Sequence, residues 1–433
     1  MREWSLIEGI VPGVVTIIGA LALVFLVARA ERRWWLIKVP LAAVLSAALV
    51  IGGAYAVTNL FQLFPDALPR EVMIWIGVAL FGIFLAVLRF PDIGWWNRIA
   101  GLVAAAIVVV AAGAQINAYY AQYPTLGSLL GADKPQLTDF STVDGRAARV
   151  VAVPPGKYLA DVWNPPAGLP AAGTVSAVAI PGTASGFTAR EALVYLPPAY
   201  HATPRPELPV LVLLPGQPGS PDDWFGPGQL TKALDTYAAA HRGLAPVAVV
   251  ADPLGTEFAN TLCVDSPRGN AETYLATDVP AWISAQLQVT ADRTGWGIGG
   301  YSFGGTCALQ LAVRRPGVYP TFIDLSGQRE PSLGSHRKTV DEAFGGDEAA
   351  FAAVNPLDIL KTTKLPQVAG FIAVGDHDTV YRPQQQEVYA ACQAAGLQVQ
   401  YHELPGAHSM GVWRPALVES LPWFAARARL ASS

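Results

Sequence analysis

Apolar positions along this chain fall into two regimes. In the first, residues 9–28, 41–60, 72–88 and 99–118 are four runs without a charged side chain. Each is close to the ~20 residues that cross a hydrocarbon layer as a helix, and none shows the polar stripe of a soluble amphipathic helix. Four such runs predict a transmembrane bundle over residues 1–120. The first run exceeds the ~7–15-residue core of a cleaved signal, and Glu3 and Glu8 stand where a signal leader would be basic. In the second regime, residues 121–147 lose periodicity and collect Pro, Gly, Asp and Thr, as a linker would. Residues 148–433 then change rhythm. Short β-rich runs at 175–180 and 191–196 predict an antiparallel opening. After them, strands at 210–214, 247–251, 296–300, 321–325, 369–374 and 399–404 alternate with helices near 229–241, 279–287, 306–314, 384–395 and 414–426. That alternation predicts a mostly parallel sheet with helices on both faces.

Charge refines the first regime. Arg29, Arg32, Arg33 and Lys38 lie between the first two runs, and Arg89 and Arg98 between the last two, whereas the middle loop offers Arg70 beside Asp66 and Glu71. Basic loops stay in the cytoplasm, so the first and third loops are expected there and everything after about Tyr119 outside it. No ionisable group falls within the runs, and Gln115 and Asn117 sit at the exit end of the fourth. A transport path or proton relay is therefore disfavoured against an anchor or lipid-facing platform. The chain is 52% hydrophobic with a net charge of −4, and its basic residues do not cluster in the second regime. That excludes a nucleic-acid partner.

The candidate chemistry lies in the second regime. Gly300-Tyr301-Ser302-Phe303-Gly304 is a G-x-S-x-G sequence between an apolar strand and a predicted helix, the context in which the serine hydroxyl is lifted onto a sharp turn. Serine needs a base, and the expected chain order is serine, acid, histidine. His408 lies in the loop after the last strand, while His377 and His402 read as structural histidines. The acid comes from Val374-Gly375-Asp376-His377-Asp378, with Asp378 preferred over Asp376. A metal site built from those three adjacent polar residues is disfavoured because their side chains do not easily converge on one ion. The Phe303 amide and the Gln217 amide in Leu214-Pro215-Gly216-Gln217-Pro218-Gly219 are candidate oxyanion donors.

With these motifs in place, the region from about Val175 to Ala426 resembles the esterase D-like branch of the α/β-hydrolases, which includes feruloyl esterases, enterochelin esterases and mycobacterial mycolyltransferases. The resemblance rests on Val194-Tyr195-Leu196-Pro197-Pro198, the segment from Leu213 to Trp224, the Ser302 elbow, the Asp378 loop, and Gly406-Ala407-His408-Ser409 followed by Trp413. Pro215 departs from it, since the family commonly has His before the oxyanion-loop glycine. Four membrane helices ahead of such a domain resemble an arrangement of actinobacterial envelope proteins. The resemblance implies an acyl ester substrate, glycolipid or cell-wall glycan included, with the acyl group passed to water or to a sugar hydroxyl and no cofactor or metal required.

Trp224, Phe225 and Trp413 flank the motifs and are expected either to line an acyl or sugar pocket or to pack. Cys263 and Cys307 are expected to pair, tying the segment from Asn260 to Asn270 to the nucleophile helix, unless all three cysteines are buried thiols. A non-enzymatic envelope scaffold that keeps the fold for binding is the alternative, disfavoured because a binding module would not need Ser, Asp and His together.

Overall fold

The computed structural model describes residues 3–61, 67–143 and 146–432. Asp66, in the middle loop of the first regime, and Gly145, near the end of the predicted linker, lie outside them. The chain divides into two compact units, Met1–Ala132 and Asp133–Ser433.

In the first unit, α1 (Ile10–Val27), α2 (Trp34–Leu60), α3 (Arg70–Asp92) and α4 (Trp95–Tyr120) are each long and apolar enough to cross a membrane. Their interior mixes small and large residues: Ala104, Ala105, Ala111 and Ala112 are buried with Leu26, Trp34 and Leu85, while Ile17, Leu21, Val44 and Val110 are exposed. A Cβ on Gly19 would collide with Ala111, so this glycine lets α1 and α4 approach closely. α2 begins seven residues before the charge-free run because Lys38 does not stop it. The Lys38 ammonium reaches across to Asp92 and donates to the Leu88 carbonyl at 3.0 Å. Arg89 is likewise absorbed, donating to the Ala28 carbonyl at 2.8 Å with its guanidinium over the Phe25 and Trp34 rings.

The second unit is built on an eight-stranded sheet. Its strands are β1 (Thr174–Val178), β2 (Ala192–Leu196), β3 (Val210–Leu214), β4 (Val247–Val250), β5 (Trp296–Tyr301), β6 (Thr321–Leu325), β7 (Ala369–Gly375) and β8 (Gln398–Leu404). Their spatial order is β1-β2-β4-β3-β5-β6-β7-β8. β2 pairs antiparallel with both β1 and β4, and every pair from β4 through β3 to β8 is parallel. Central strands such as Val210–Leu214 are buried at every position, as covered parallel strands must be. The edge strand β8 instead exposes Gln398, Gln400 and Glu403, polar groups that discourage further pairing. The covering helices are α5 (Leu230–Ala240), α6 (Val279–Gln286), α7 (Phe303–Arg314), α8 (Tyr381–Ala394) and α9 (Met410–Arg427).

Three features depart from the pattern-based expectation. α7 starts at Phe303 rather than near residue 306, because Gly304 and Gly305, poor helix formers by propensity, are needed in its first turn for close packing. α9 runs from Met410 through Pro415 and Pro422 instead of starting near 414. Short helices at His336–Phe344, Glu348–Ala352 and Pro356–Thr362 intervene between β6 and β7; the first is amphipathic, burying Thr339, Val340 and Ala343, and the other two are too brief to show a clear apolar period.

Candidate active site

The register of the parallel strands aligns their ends. Tyr301 pairs with Leu325 and Leu325 with Ala373, so Ser302, Ser326 and the residues after Gly375 emerge at one edge of the sheet. Ser302 has φ 54° and ψ −120°, a positive φ that for a non-glycine residue costs about 1–3 kcal/mol and persists only where its surroundings over-determine it. Its N–H donates to the Leu325 carbonyl at 2.8 Å, and its own carbonyl accepts from Gly305 and Thr306 at 3.0 and 3.1 Å. A Cβ on Gly300 would collide with the Gly304 backbone, and one on Gly304 with the Leu214 carbonyl. Both glycines of the motif are therefore required by the closeness of the turn.

His408 stands between the other two members of the set. Its Nε2 lies 2.9 Å from Ser302 Oγ and its Nδ1 2.9 Å from Asp378 Oδ2. An ionised carboxylate only accepts, so Nδ1 carries the proton and Nε2 is left to accept from the serine hydroxyl. Asp378 is buried, and its Oδ1 accepts from the Tyr381 N–H at 2.9 Å and the Val380 N–H at 3.3 Å. Those bonds fix its second oxygen toward the ring. Asp376 has a different partner: its Oδ1 accepts from the Gly406 N–H at 2.9 Å, bracing the loop that carries His408. The His377 side chain is exposed, and its backbone N–H donates to the Gly406 carbonyl at 2.9 Å. His402 stacks on Phe371 with ring centroids 4.4 Å apart, far from this chemistry.

Two aromatic rings hold the imidazole. Tyr381 stacks on it at 3.9 Å and 19°, and Trp413 meets it edge-on at 4.9 Å. Trp413 is itself fixed by a hydrogen bond from Nε1 to Ser326 Oγ at 3.1 Å and by stacking on Tyr301. Trp224 and Phe225, expected as pocket walls or packing, are wholly inside. The Trp224 indole donates to the Leu214 carbonyl at 2.9 Å and packs against Tyr301, the packing alternative of the two.

Phe303 opens α7, where the first backbone N–H groups lack intrahelical partners and the helix dipole favours negative charge. Across from it, the loop after β3 presses against the elbow. Burial pushes the pKa of the Tyr301 hydroxyl well up, so it stays protonated. A Cβ on Gly216 would stand 2.7 Å from the Tyr301 ring and 3.5 Å from Ser302 Cβ. Gln217 follows directly, its side chain donating to the Phe258 carbonyl at 3.1 Å.

Sequence reasoning passed over Asp324. It lies fully buried in β6, where its Oδ1 accepts from Gly327 at 2.8 Å and its Oδ2 from Gln385 at 3.1 Å, and burial raises its pKa to about 7. An acid inside the apolar run Thr321–Leu325 was the available signal. The Tyr381 stack carried no signal, since nothing in spacing tells a ring on a ring from ordinary core. Cys263 and Cys307 form a disulfide with Cα atoms 5.5 Å apart, while Cys392 is a buried free thiol. Among the described residues no group of three or more His, Cys, Asp and Glu side chains is placed to hold a metal ion.

Residues 188–424 match the model of the Esterase family, described as "Putative esterase". The chain belongs to that family. This esterase-family chain is also 34% identical over 444 residues to an uncharacterized protein of Corynebacterium glutamicum, covering 99% of this chain and 100% of the relative. The match thus includes the four-helix unit as well as the sheet domain. Among solved structures, a ferulic acid esterase superposes with a TM-score of 0.53 at 20% identity, covering 61% of this chain and 100% of that one. That likeness shows the α/β-hydrolase fold. An S-formylglutathione hydrolase from Agrobacterium tumefaciens reaches a TM-score of 0.48 at 17% identity over 63% of this chain and 99% of its own. Family membership supports a carboxylester hydrolase acting on acyl esters.

Proposed function

We propose that this chain is a membrane-anchored serine esterase or acyltransferase acting on acyl esters of the cell envelope, with Ser302, His408 and Asp378 as its catalytic set. The single observation that carries the reading is the placement of His408 at 2.9 Å from both Ser302 Oγ and Asp378 Oδ2. In the proposed reaction His408 Nε2 takes the Ser302 proton as Oγ attacks the ester carbonyl. The negative charge forming on the carbonyl oxygen meets the Phe303 and Gln217 N–H groups, and Asp378 stabilises the imidazolium that results. Collapse of the tetrahedral species expels the alcohol, which takes the proton back from His408. Water, or a sugar hydroxyl in a transferase, then attacks the acyl-Ser302 ester with His408 again as base.

The envelope assignment is supported by the four apolar helices and by basic residues in the first and third connecting loops, the distribution expected when those loops lie in the cytoplasm and the sheet domain follows on the other side. Purified protein incubated with a fluorophosphonate and then digested is expected to carry the adduct on the peptide containing Ser302, with concurrent loss of p-nitrophenyl ester hydrolysis. An unmodified Ser302 with no hydrolysis would favour the scaffold alternative.

A further inference from the structure

Residues 257–263 form a loop between β4 and a two-stranded hairpin at Asp265–Ser266 and Gly269–Asn270. One end of the loop is fastened to the nucleophile helix. The Cys263–Cys307 disulfide joins it to α7 shortly after Ser302, and further along the same helix Gln310 Nε2 donates to the Leu262 carbonyl at 3.0 Å. Leu262 and Cys263 have φ values of 58° and 52°, two consecutive non-glycine residues in the left-handed region. Each costs of order 1–3 kcal/mol and persists only where its surroundings hold it. Here they do: the Leu262 N–H donates to Asn260 Oδ1 at 2.9 Å and the Cys263 N–H to Thr261 Oγ1 at 3.3 Å.

The other end of the loop holds the segment after β3. The Phe258 carbonyl accepts from Gln217 Nε2 at 3.1 Å, and the Glu257 carbonyl accepts from the Gly219 N–H at 3.1 Å. Asn260 joins the two ends. It is buried, its Nδ2 donates to the Ser332 carbonyl at 3.0 Å and reaches Gln217 Oε1 at 3.4 Å, and its carbonyl accepts from Arg268 Nε at 2.6 Å. Both polar atoms of the Gln217 side chain are therefore tied to one loop, and that loop is covalently anchored to the helix that Ser302 begins.

We propose that this disulfide-anchored loop is the positioning element that sets the Gln217 backbone N–H against Ser302, with Asn260 as its positioning residue. The inference rests on the reading of Ser302 as nucleophile and Gln217 as oxyanion donor. Gln217 lies between Pro215 and Pro218 outside any helix or strand, so no helical or ladder hydrogen bond holds its amide. An oxyanion donor must lie about 2.7–3.1 Å from the developing charge, and a misplacement of about 1 Å costs on the order of 100-fold in rate. Tyr301 braces the segment at Gly216, and the 257–263 loop braces it at Gln217 and Gly219. Because the donor acts on charge present only in the transition state, losing its placement lowers kcat and leaves KM nearly unchanged.

The test uses the full-length protein in detergent with p-nitrophenyl butyrate as probe. Asn260→Asp keeps the acceptor for the Leu262 N–H and removes the bonds donated to Ser332 and Gln217. Because it also sets a buried carboxylate against two oxygen acceptors, its melting temperature is expected to fall; assayed well below that temperature, kcat is expected to drop by at least about tenfold with KM close to wild type. Cys263→Ser/Cys307→Ser is expected to shift kcat in the same direction, and Asn260→Asp decides alone if that variant does not fold. Wild-type kcat in Asn260→Asp, or a loss of turnover carried by KM, overturns the inference. In that case fluorophosphonate labelling of Ser302 in the same samples shows that the nucleophile reading stands. A wild-type protein that neither hydrolyses the ester nor labels at Ser302 overturns both.

Discussion

In the four-helix unit Leu26, Trp34 and Leu85 are buried among the alanines Ala104, Ala105, Ala111 and Ala112, while large apolar side chains such as Ile17, Leu21, Val44 and Val110 are exposed along the helices. In the sheet domain the large apolar side chains Val210, Leu211, Phe322 and Ile372 are buried. Helices of the first kind, set in lipid, would draw their cohesion from close packing, since lipid is as apolar as leucine. A domain in water is held by apolar burial, and it can bury a polar group only beside a partner. Asp378 and Asp324 are buried in the sheet domain with partners on both oxygens, and the buried Gln385 donates from Nε2 to Asp324 and to the Gly327 carbonyl. All three lie near the edge of the sheet where Ser302 emerges.

The largest effect expected from breaking that matched polarity is at Asp378. Asp378→Asn removes the ionised acceptor for His408 Nδ1 and is expected to lower kcat by about 10⁴-fold, as loss of the tautomer-setting acid does in other serine hydrolases. Asp376→Asn keeps an oxygen acceptor for the Gly406 N–H and is expected to stay within roughly tenfold, because its role is to brace a loop through one hydrogen bond. Steady-state kinetics on the two variants separate the neighbouring carboxylates.

A second, smaller effect concerns stability at Asp324. Its folded-state pKa is raised to about 7 by burial, whereas an unfolded aspartate titrates near 3.9. The folded state therefore holds a proton that the unfolded chain has lost between those values. This contribution to stability is fully present below about pH 4 and is lost as pH rises toward 7. Denaturant titrations of wild type between those limits are expected to show stability falling by on the order of 2–4 kcal/mol from this group, and Asp324→Asn is expected to flatten that slope.

The smallest catalytic effect is expected in the other unit. Gly19→Leu forces a side chain into Ala111 and is expected to destabilise the bundle by roughly 1–3 kcal/mol through overpacking. Ester turnover by the sheet domain, measured on the same detergent-solubilised sample, is expected to remain at the wild-type level. A parallel loss of turnover would break the separation between the two regions.

The legible parts of the chain were those with a strong period or a fixed order. The four charge-free runs gave the apolar helices, the strand–helix alternation gave the parallel sheet, and the G-x-S-x-G motif placed Ser302 at the turn between β5 and α7. Chain order and loop position led to His408 and Asp378, which the fold brings within hydrogen-bond distance of each other. What could not be read depended on contacts far apart in sequence. Lys38 extends α2 because Asp92 is waiting for it, Trp224 is buried because Leu214 accepts its indole N–H, and Asn260 matters through Gln217 and Ser332. None of these partners lies within a turn of the other, so no local pattern records them.

Labelling of intact cells with a membrane-impermeant fluorophosphonate asks whether Ser302 is activated and faces outward, as proposed. A labelled band is expected in cells expressing the wild-type chain and none in cells expressing Ser302→Ala at equal abundance. Absence of labelling in the wild type, both in intact cells and after detergent lysis, would contradict it.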